Sequence, residues 1–273
     1  MEKVEEDLKN YELTAVYENI ENAFEFRYIP TLNGYELVKY TGNARVVEIP
    51  ALYKDLPVKI INGSSFNGNK SICNVILPDT ITKIGGGAFS GCTSLVSIKI
   101  PNSVTDIGDW TFNGCTSLAD ITLSNSLTEI GSQAFDDCTS LKSVAIPNSV
   151  TTIGSYAFEN CTSLTSITIP NSVTSIDGGA FRDCISLKSV VIPNSVMYII
   201  SSAFKNCKNL KTIYVESEKI VNSTYVEHCL FDYADDIYIP ADIEITNSYF
   251  DVVCEKKENV IINNKEYYHF KRR

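Results

Sequence analysis

The chain has 273 residues, of which 44% are hydrophobic and 21% are charged, and its 33 acidic residues outnumber its 23 basic ones. This composition is typical of a soluble folded protein and excludes a disordered tail. The acidic balance disfavours nucleic-acid binding because like charges repel the phosphate backbone. No apolar run approaches the ~18 residues that a membrane span requires. The two histidines leave little capacity for histidine-based metal or acid–base chemistry.

The first 23 residues form an acidic segment, for which a helix is one interpretation. A signal peptide needs a basic start followed by a continuous apolar stretch, and this segment has neither. The sequence therefore predicts no signal peptide within this chain and leaves the compartment open.

Residues 24–49 are predicted to form an N-terminal β cap. Phe24, Phe26 and Tyr28 alternate with charged residues, as in a half-buried strand. Asn33-Gly34 then stands between two such strands and is a strong hairpin signal.

A repeat of 23 residues dominates the rest of the chain. A degenerate first copy begins at Pro50, and the sequence predicts seven coils over residues 50–215. In the six regular copies, one column is always Phe, another always Leu and a third always Ile. The six regular copies begin at Pro78, Pro101, Ser124, Pro147, Pro170 and Pro193.

Each copy predicts one supersecondary unit. The segment L-x-S-I-x-I alternates with period two and indicates a strand, V-T-x-I indicates a shorter one, and A-F-x-x-C indicates a helical or 3-10 turn. A single copy cannot fold, because fixing 23 residues costs roughly 1–2 kcal/mol each in backbone entropy alone. Stacked copies share their apolar faces, so we expect a β-rich solenoid with either two parallel sheets or one sheet and a turn-rich back.

The glycine after the Ile column is expected to serve close packing. The last two copies replace it with Asp177 and Ile200. A β-branched residue rarely adopts positive φ, so the column should not require the left-handed conformation.

The repeat pattern, read as I-P-x-S-V-T-x-I-G-x-x-A-F-x-x-C-x-S-L-x-x-I, closely resembles the BspA-like (Treponema-type) leucine-rich repeat. The resemblance covers Pro50 to Val215, and the lead-in from Tyr35 to Pro50 is also similar to that family. It implies a right-handed leucine-rich-repeat stack. The register fades after Val215, so residues 216–273 are predicted to be a divergent C-terminal cap.

Six of the nine cysteines occupy a single repeat column. We interpret that column as a buried ladder of hydrogen-bonded thiols. Parallel Cβ vectors do not suit a disulfide, and Cys-X2-Cys zinc spacing never occurs. The ladder consists of Cys92, Cys115, Cys138, Cys161, Cys184 and Cys207.

The exposed columns of the main strand carry the predicted protein-binding face, with a merely solvated sheet as the alternative. They are small and nearly neutral, which suits the docking of an extended surface. We also include Trp110 and Tyr156 in the predicted binding site, because Trp and Tyr often anchor protein interfaces. The alternative is that their rings only cover the neighbouring turn. The strand residues are Lys99, Asp120, Thr122, Ser143, Ser166, Thr168, Ser189, Val191 and Tyr214.

The predicted function is non-catalytic protein binding. No nucleophile–base arrangement or phosphate-binding motif is visible, and no cofactor is expected. The resemblance implies cell-surface adhesion, with an extracellular matrix or host cell-surface protein as the partner. An intracellular interaction scaffold is the alternative. An ice-binding solenoid is disfavoured because Lys99, Asp120, Val191 and Tyr214 interrupt the face.

Overall fold

A computed structural model describes residues 23–221, 234–245 and 254–272. The predicted acidic segment 1–23 lies outside the described residues except for Ala23. The described chain is a β-solenoid of about eight turns with about 23 residues per turn and almost no helix. The predicted parallel repeat stack is thereby confirmed.

Most regular coils have a longer and a shorter strand, and these strands stack into two separate columns. The long-strand column holds β3 (Val46–Glu48), β6 (Asn74–Ile76), β8 (Ser97–Lys99), β10 (Asp120–Thr122), β14 (Ser189–Ile192), β16 (Thr212–Val215) and β17 (Asp236–Pro240). The short-strand column holds β2 (Gly34–Tyr40), β5 (Leu56–Ile61), β7 (Lys83–Ile84), β9 (Asp106–Ile107), β11 (Glu129–Ile130), β12 (Thr152–Ile153), β13 (Ser175–Ile176) and β15 (Tyr198–Ile199). Paired neighbours within a column are parallel, so the coils carry strands in two columns, which the pairing of the described residues divides into four sheets.

Each column is interrupted once. Strand pairing in the short-strand column stops between β9 and β11. In the long-strand column, an isolated parallel bridge between Ala145 and Thr168 stands where two strands would be expected. Turn hydrogen bonds nevertheless continue through both positions, for example from Phe112 N–H to the Ala134 carbonyl at 2.8 Å. The coils therefore remain bonded to one another along the whole repeat.

Antiparallel strands lie at both ends of the stack. β1 (Phe24–Ile29) pairs with β2 across a 3-10 turn at Pro30–Leu32. At the other end β19 (Lys265–Arg272) pairs antiparallel with β17, and β18 (Cys254–Ile262) pairs with β19. The remaining elements are the short strand β4 (Leu52–Tyr53) and the four-residue helix α1 (Glu218–Val221).

The parallel stack extends beyond both predicted boundaries of the solenoid. β2 and β3 belong to the predicted cap, yet they pair parallel with β5 and β6. β17 follows the predicted end at residue 215 and pairs parallel with β16. Here Tyr238-Ile239-Pro240 repeats the strand end of a regular coil. The sequence between β16 and β17 does not follow the repeat pattern, so the register of β17 could not be identified from the sequence.

The core is a set of aligned, fully buried columns. The Phe rings from Phe66 to Phe204 stack on one another with centroids 5.0 to 5.4 Å apart and interplanar angles of 2° to 15°. The Leu and Ile columns flank this stack and are also buried. Burial of this many apolar side chains is the main stabilising contribution, and each coil obtains it only from its neighbours.

The glycine after the Ile column packs against backbone, as predicted. A Cβ added to Gly108 would lie 2.4 Å from the amide nitrogen of Gly86, and one added to Gly85 would lie 2.5 Å from that of Gly63. Neither glycine is in the left-handed region. Asp177 and Ile200 occupy this column in the last two coils, where the Ile200 side chain is half exposed.

Candidate functional site

The segment that joins the short strand to the long strand of each coil is here called the turn arc. In one coil it runs from Asp109 to Cys115. It consists of i to i+3 turns, such as Cys115 N–H to the Phe112 carbonyl at 3.1 Å. No described turn arc continues into a helix, because two of its residues adopt positive φ.

The two left-handed positions of the turn arc recur in every coil. The first is Ser64, Gly87, Trp110, Gln133, Tyr156, Gly179 and Ser202 in successive coils. The second is Gly68, Gly91, Gly114, Asp137, Asn160, Asp183 and Asn206. Gly, Asn and Asp tolerate this conformation best, so the second column has the expected composition. The first contains two bulky aromatics, for which positive φ costs about 1–2 kcal/mol each.

The structure places eight predicted site residues on one exposed strand face, which we define by them. All eight side chains are exposed and lie on alternate residues of the long-strand column, with buried Ile or Val between them. The eight are Lys99, Asp120, Thr122, Ser143, Ser166, Thr168, Ser189 and Val191.

Tyr214 is the predicted strand residue with a different environment. Its ring is half-buried and stacks on Tyr238, with centroids 4.9 Å apart. Tyr238 in turn stacks on His269 at 4.8 Å, and the His269 Nε2 atom lies 2.8 Å from Asp236 Oδ1. This aromatic stack joins the repeat to β19, so Tyr214 has a structural role there.

Trp110 and Tyr156 lie on the turn arc and are not brought together with the strand face. The Trp110 indole N–H donates a hydrogen bond to Gln133 Oε1 at 2.7 Å. The Tyr156 ring covers Gly179, whose added Cβ would lie 2.4 Å from two ring carbons. Both rings still remain exposed, at 48% for Trp110 and 39% for Tyr156.

Sequence reasoning missed the polar residues that surround these two rings. Gln133 donates from Nε2 to Asp136 Oδ2 at 3.1 Å, and Asn113 donates to the same oxygen at 3.1 Å. Burial raises the pKa of Asp136, and burial together with the Asp136 charge raises the pKa of Glu159. The signal that could have identified this region is the change from glycine to Asp137 in the second left-handed column.

The thiol ladder has the predicted buried, hydrogen-bonded form. Each ladder sulfur donates to the carbonyl oxygen of a Phe one coil earlier, with distances from 3.0 to 3.2 Å. Desolvation raises the pKa of every one, for example to about 12 for Cys92 and Cys207. Because the reactive form of a thiol is the thiolate, the ladder is chemically inert and serves to join the coils.

Within residues 23–221, 234–245 and 254–272, no cluster of three or more His, Cys, Asp or Glu side chains has an arrangement that suits a metal ion. In the same part of the chain, no helix combines the length and hydropathy that a bilayer crossing needs. Neither finding bears on residues outside these ranges.

A model of the BspA-type leucine-rich repeat region, with six copies, matches residues 47–165 and 151–270. The matched ranges include the coils, the turn arcs and most of the C-terminal hairpin. This chain belongs to the BspA-type leucine-rich repeat family.

Two solved bacterial proteins are similar to this BspA-type chain. A Treponema pallidum leucine-rich repeat protein is 33% identical, with a TM-score of 0.65, over 69% of this chain and 88% of that one. A leucine-rich cell surface protein of Faecalibacterium prausnitzii is 31% identical, with a TM-score of 0.67, over 90% of this chain. The match covers 59% of the F. prausnitzii chain. No curated protein matches this sequence significantly.

Membership of the BspA-type family accounts for the repeat columns and indicates a protein-binding module. The residues of the strand face and of the first left-handed position differ from coil to coil, unlike the Phe, Leu and Ile columns. Features particular to this protein are therefore to be sought at those positions.

Proposed function

We propose that this BspA-type protein is a non-catalytic binding module that holds an extended protein surface against its strand face. The observation that carries the proposal is the row of eight exposed, alternating side chains over neighbouring coils. Most are small and uncharged, so a flat partner can approach the backbone closely along several coils. The partner's entropic cost of ordering is then offset by many small contacts.

The proposed setting is the cell surface, in adhesion or host interaction, with an extracellular matrix or host cell-surface protein as the partner. The F. prausnitzii relative, which is described as a cell surface protein, supports this setting. An intracellular scaffold is the second candidate, because the cysteines whose side chains are described are all free thiols. Intracellular proteins usually keep their thiols reduced.

The binding proposal is tested by placing a bulky charge on the strand face. Thr122→Arg and Thr168→Arg introduce long side chains at two exposed positions of that face. The matched control is Thr128→Arg, because Thr128 is also exposed but immediately precedes the short strand β11. Against an immobilised panel of matrix proteins, we expect the first two variants to lose at least about tenfold in affinity, or about 1.4 kcal/mol, and the control to keep it. Equal loss in all three would contradict a binding role for the strand face.

The setting is tested by antibody staining of source cells with and without permeabilisation. We expect staining of intact cells. Staining only after permeabilisation would reject adhesion and support the intracellular scaffold.

A further inference from the structure

Two exposed aromatic residues lie on the turn arcs, outside the strand face. Trp110 and Tyr156 occupy the same left-handed column, two coils apart, with Gln133 between them. At the usual spacing of stacked strands, about 4.8 Å, equivalent atoms of the two residues are about 10 Å apart. Gly87 and Gly179 occupy this column in the flanking coils, so large rings are confined to the middle of the stack.

Both rings are held in place before any partner arrives. The hydrogen bond from Trp110 Nε1 to Gln133 continues from Gln133 Nε2 to the buried Asp136. The Tyr156 ring lies against the backbone of Gly179, where a side chain would collide with it. The polar atom of Trp110 is thus already satisfied within the protein, and the apolar indole remains about half exposed. Rings fixed in this way lose little conformational entropy on binding.

Acidic residues outnumber basic ones among the charged groups that interact in the turn arcs of Gln133, Tyr156 and Gly179. Electrostatic coupling links Asp136 to Asp137, and it links Glu159 to Asp136, Asp137, Asp183 and Arg182. Arg182 is close to Glu159 and Asp183, at 3.4 and 3.2 Å. The Oδ1 atom of Asp136 is buried and has no hydrogen-bond partner. Arg182 is therefore ion-paired with Glu159 and Asp183, whereas the exposed Asp137 carboxylate adds a negative charge to the turn arc of the coil between Trp110 and Tyr156.

We propose that the turn arcs around Trp110 and Tyr156 dock a basic, arginine-bearing segment of a partner protein. Guanidinium groups stack on the two rings, and their N–H groups donate to the exposed Asp137 carboxylate. This inference rests on the proposed protein-binding function and names the kind of segment that this part of the molecule takes.

Arginine fits this surface better than the alternatives do. A planar guanidinium stacks on an aromatic face while it still donates to carboxylates, whereas a lysine ammonium is a compact, strongly hydrated point charge. An anionic ligand would be repelled by the surrounding carboxylates. Arginines at every third residue of an extended chain recur about every 9 Å, which is close to the separation of the two rings.

Trp110 is the single tryptophan of the chain, so its emission reports directly on this surface. The full chain is titrated with a capped peptide of three Arg-Gly-Gly triplets and with the corresponding Lys and Glu peptides. A neutral glucan oligosaccharide is titrated as well. We expect a saturable change in emission with the Arg peptide and at least about tenfold weaker binding of the Lys peptide. Equal binding of Arg and Lys peptides, or saturation by the glucan alone, overturns the proposal.

Variants separate the contribution of the rings from folding. Trp110→Gly and Tyr156→Gly remove a ring from a position where other coils carry glycine, so the fold should tolerate both. With a fluorescently labelled Arg peptide, we expect each variant to weaken binding at least about tenfold without lowering Tm. Asp137→Asn should weaken it, and Asp120→Asn, an equally charged change on the strand face, should not. Unchanged affinity in both glycine variants overturns the proposal.

The two proposals fail in different ways. The peptide titration needs no natural partner, so it can fail while a matrix protein still binds the strand face. Conversely, if every strand-face variant kept its matrix binding, the strand-face proposal would be rejected and the peptide result would be unaffected.

Discussion

Alkaline pH is expected to unfold this protein through its thiol ladder. The six ladder thiols are fully buried, and desolvation raises the pKa of each well above the value of 9.0 for an ordinary cysteine. For Cys92 and Cys207, burial raises the pKa to about 12. In the folded state the ladder therefore stays protonated at a pH where the unfolded chain loses these protons.

The direction of the effect follows from proton linkage. A pKa raised by folding means that the folded state holds its proton more tightly, so the stabilisation is complete below pH 9 and is lost as the pH rises above it. At pH 10, each ladder thiol lowers the free energy of unfolding by about 1.4 kcal/mol, and six lower it by ~8 kcal/mol. A typical domain has a free energy of unfolding of about 5–15 kcal/mol, so the ladder alone can bring unfolding close to pH 10.

The assay is urea denaturation followed by circular dichroism at several pH values between 8 and 10. Cys138→Ala removes one ladder thiol and should reduce the pH slope of the unfolding free energy above pH 9 by about 1.4 kcal/mol per pH unit. The control is Cys73→Ala, because Cys73 is half-buried and lies outside the ladder. An unchanged slope in Cys138→Ala would refute the reasoning. So would rapid reaction of the native ladder with a thiol reagent at pH 9.

Three further experiments test the packing and one buried hydrogen bond. Phe135→Ala should lower the free energy of unfolding by about 3–5 kcal/mol in urea denaturation, because its buried ring stacks on two neighbours at 5.4 and 5.2 Å. Gly108→Ala should lower Tm more than Gly87→Ala in thermal melts. The added Cβ at Gly108 lies 2.4 Å from the Gly86 amide nitrogen, whereas at Gly87 it makes ordinary van der Waals contacts and the cost comes from positive φ alone. Ser124→Ala should cost about 1–3 kcal/mol in urea denaturation, since it leaves a buried carbonyl without its 2.6 Å hydrogen bond.

Each of these has an outcome that would count against it. Phe135→Leu retains most of the buried volume but removes the ring, so a loss much smaller than that of Phe135→Ala would argue against ring stacking as the cause. If Gly87→Ala proved the more harmful change, positive φ would outweigh backbone contact in this fold. An unchanged stability in Ser124→Ala would mean that water reaches the carbonyl.

The repeat made much of the fold predictable because stacking forces the same residue type at the same position. A column such as Leu or Cys can be identified without coordinates, since one environment recurs in every coil. The glycine column was also interpretable, because Ile200 at an equivalent position argued against positive φ. Local pattern therefore predicted the coils, their two strands and the thiol ladder.

Features that depend on breaks in the pattern were not predictable. The first left-handed position accepts Ser, Gln, Trp and Tyr, so its composition does not reveal its backbone conformation. The stacking of Tyr214 on Tyr238 depends on a strand whose register is hidden by a divergent connection. The partners of Trp110 were missed because Gln133 and Asp136 belong to the next coil, and sequence alone does not show which side chains meet between coils.

Because of the thiol ladder, each middle coil can make the same hydrogen bond with any other middle coil as its neighbour. Each coil presents one thiol to the coil before it and one Phe carbonyl to the coil after it, so the thiol hydrogen bond is the same at each of these junctions in the middle of the stack. Removal of residues 124–146 would join the end of one coil to the start of another with all columns still aligned. A gene encoding such a chain can gain or lose 23 codons by recombination and still specify a closed stack, because the antiparallel strands at the two ends are left untouched. The number of coils can therefore change during evolution while the fold of each coil stays the same.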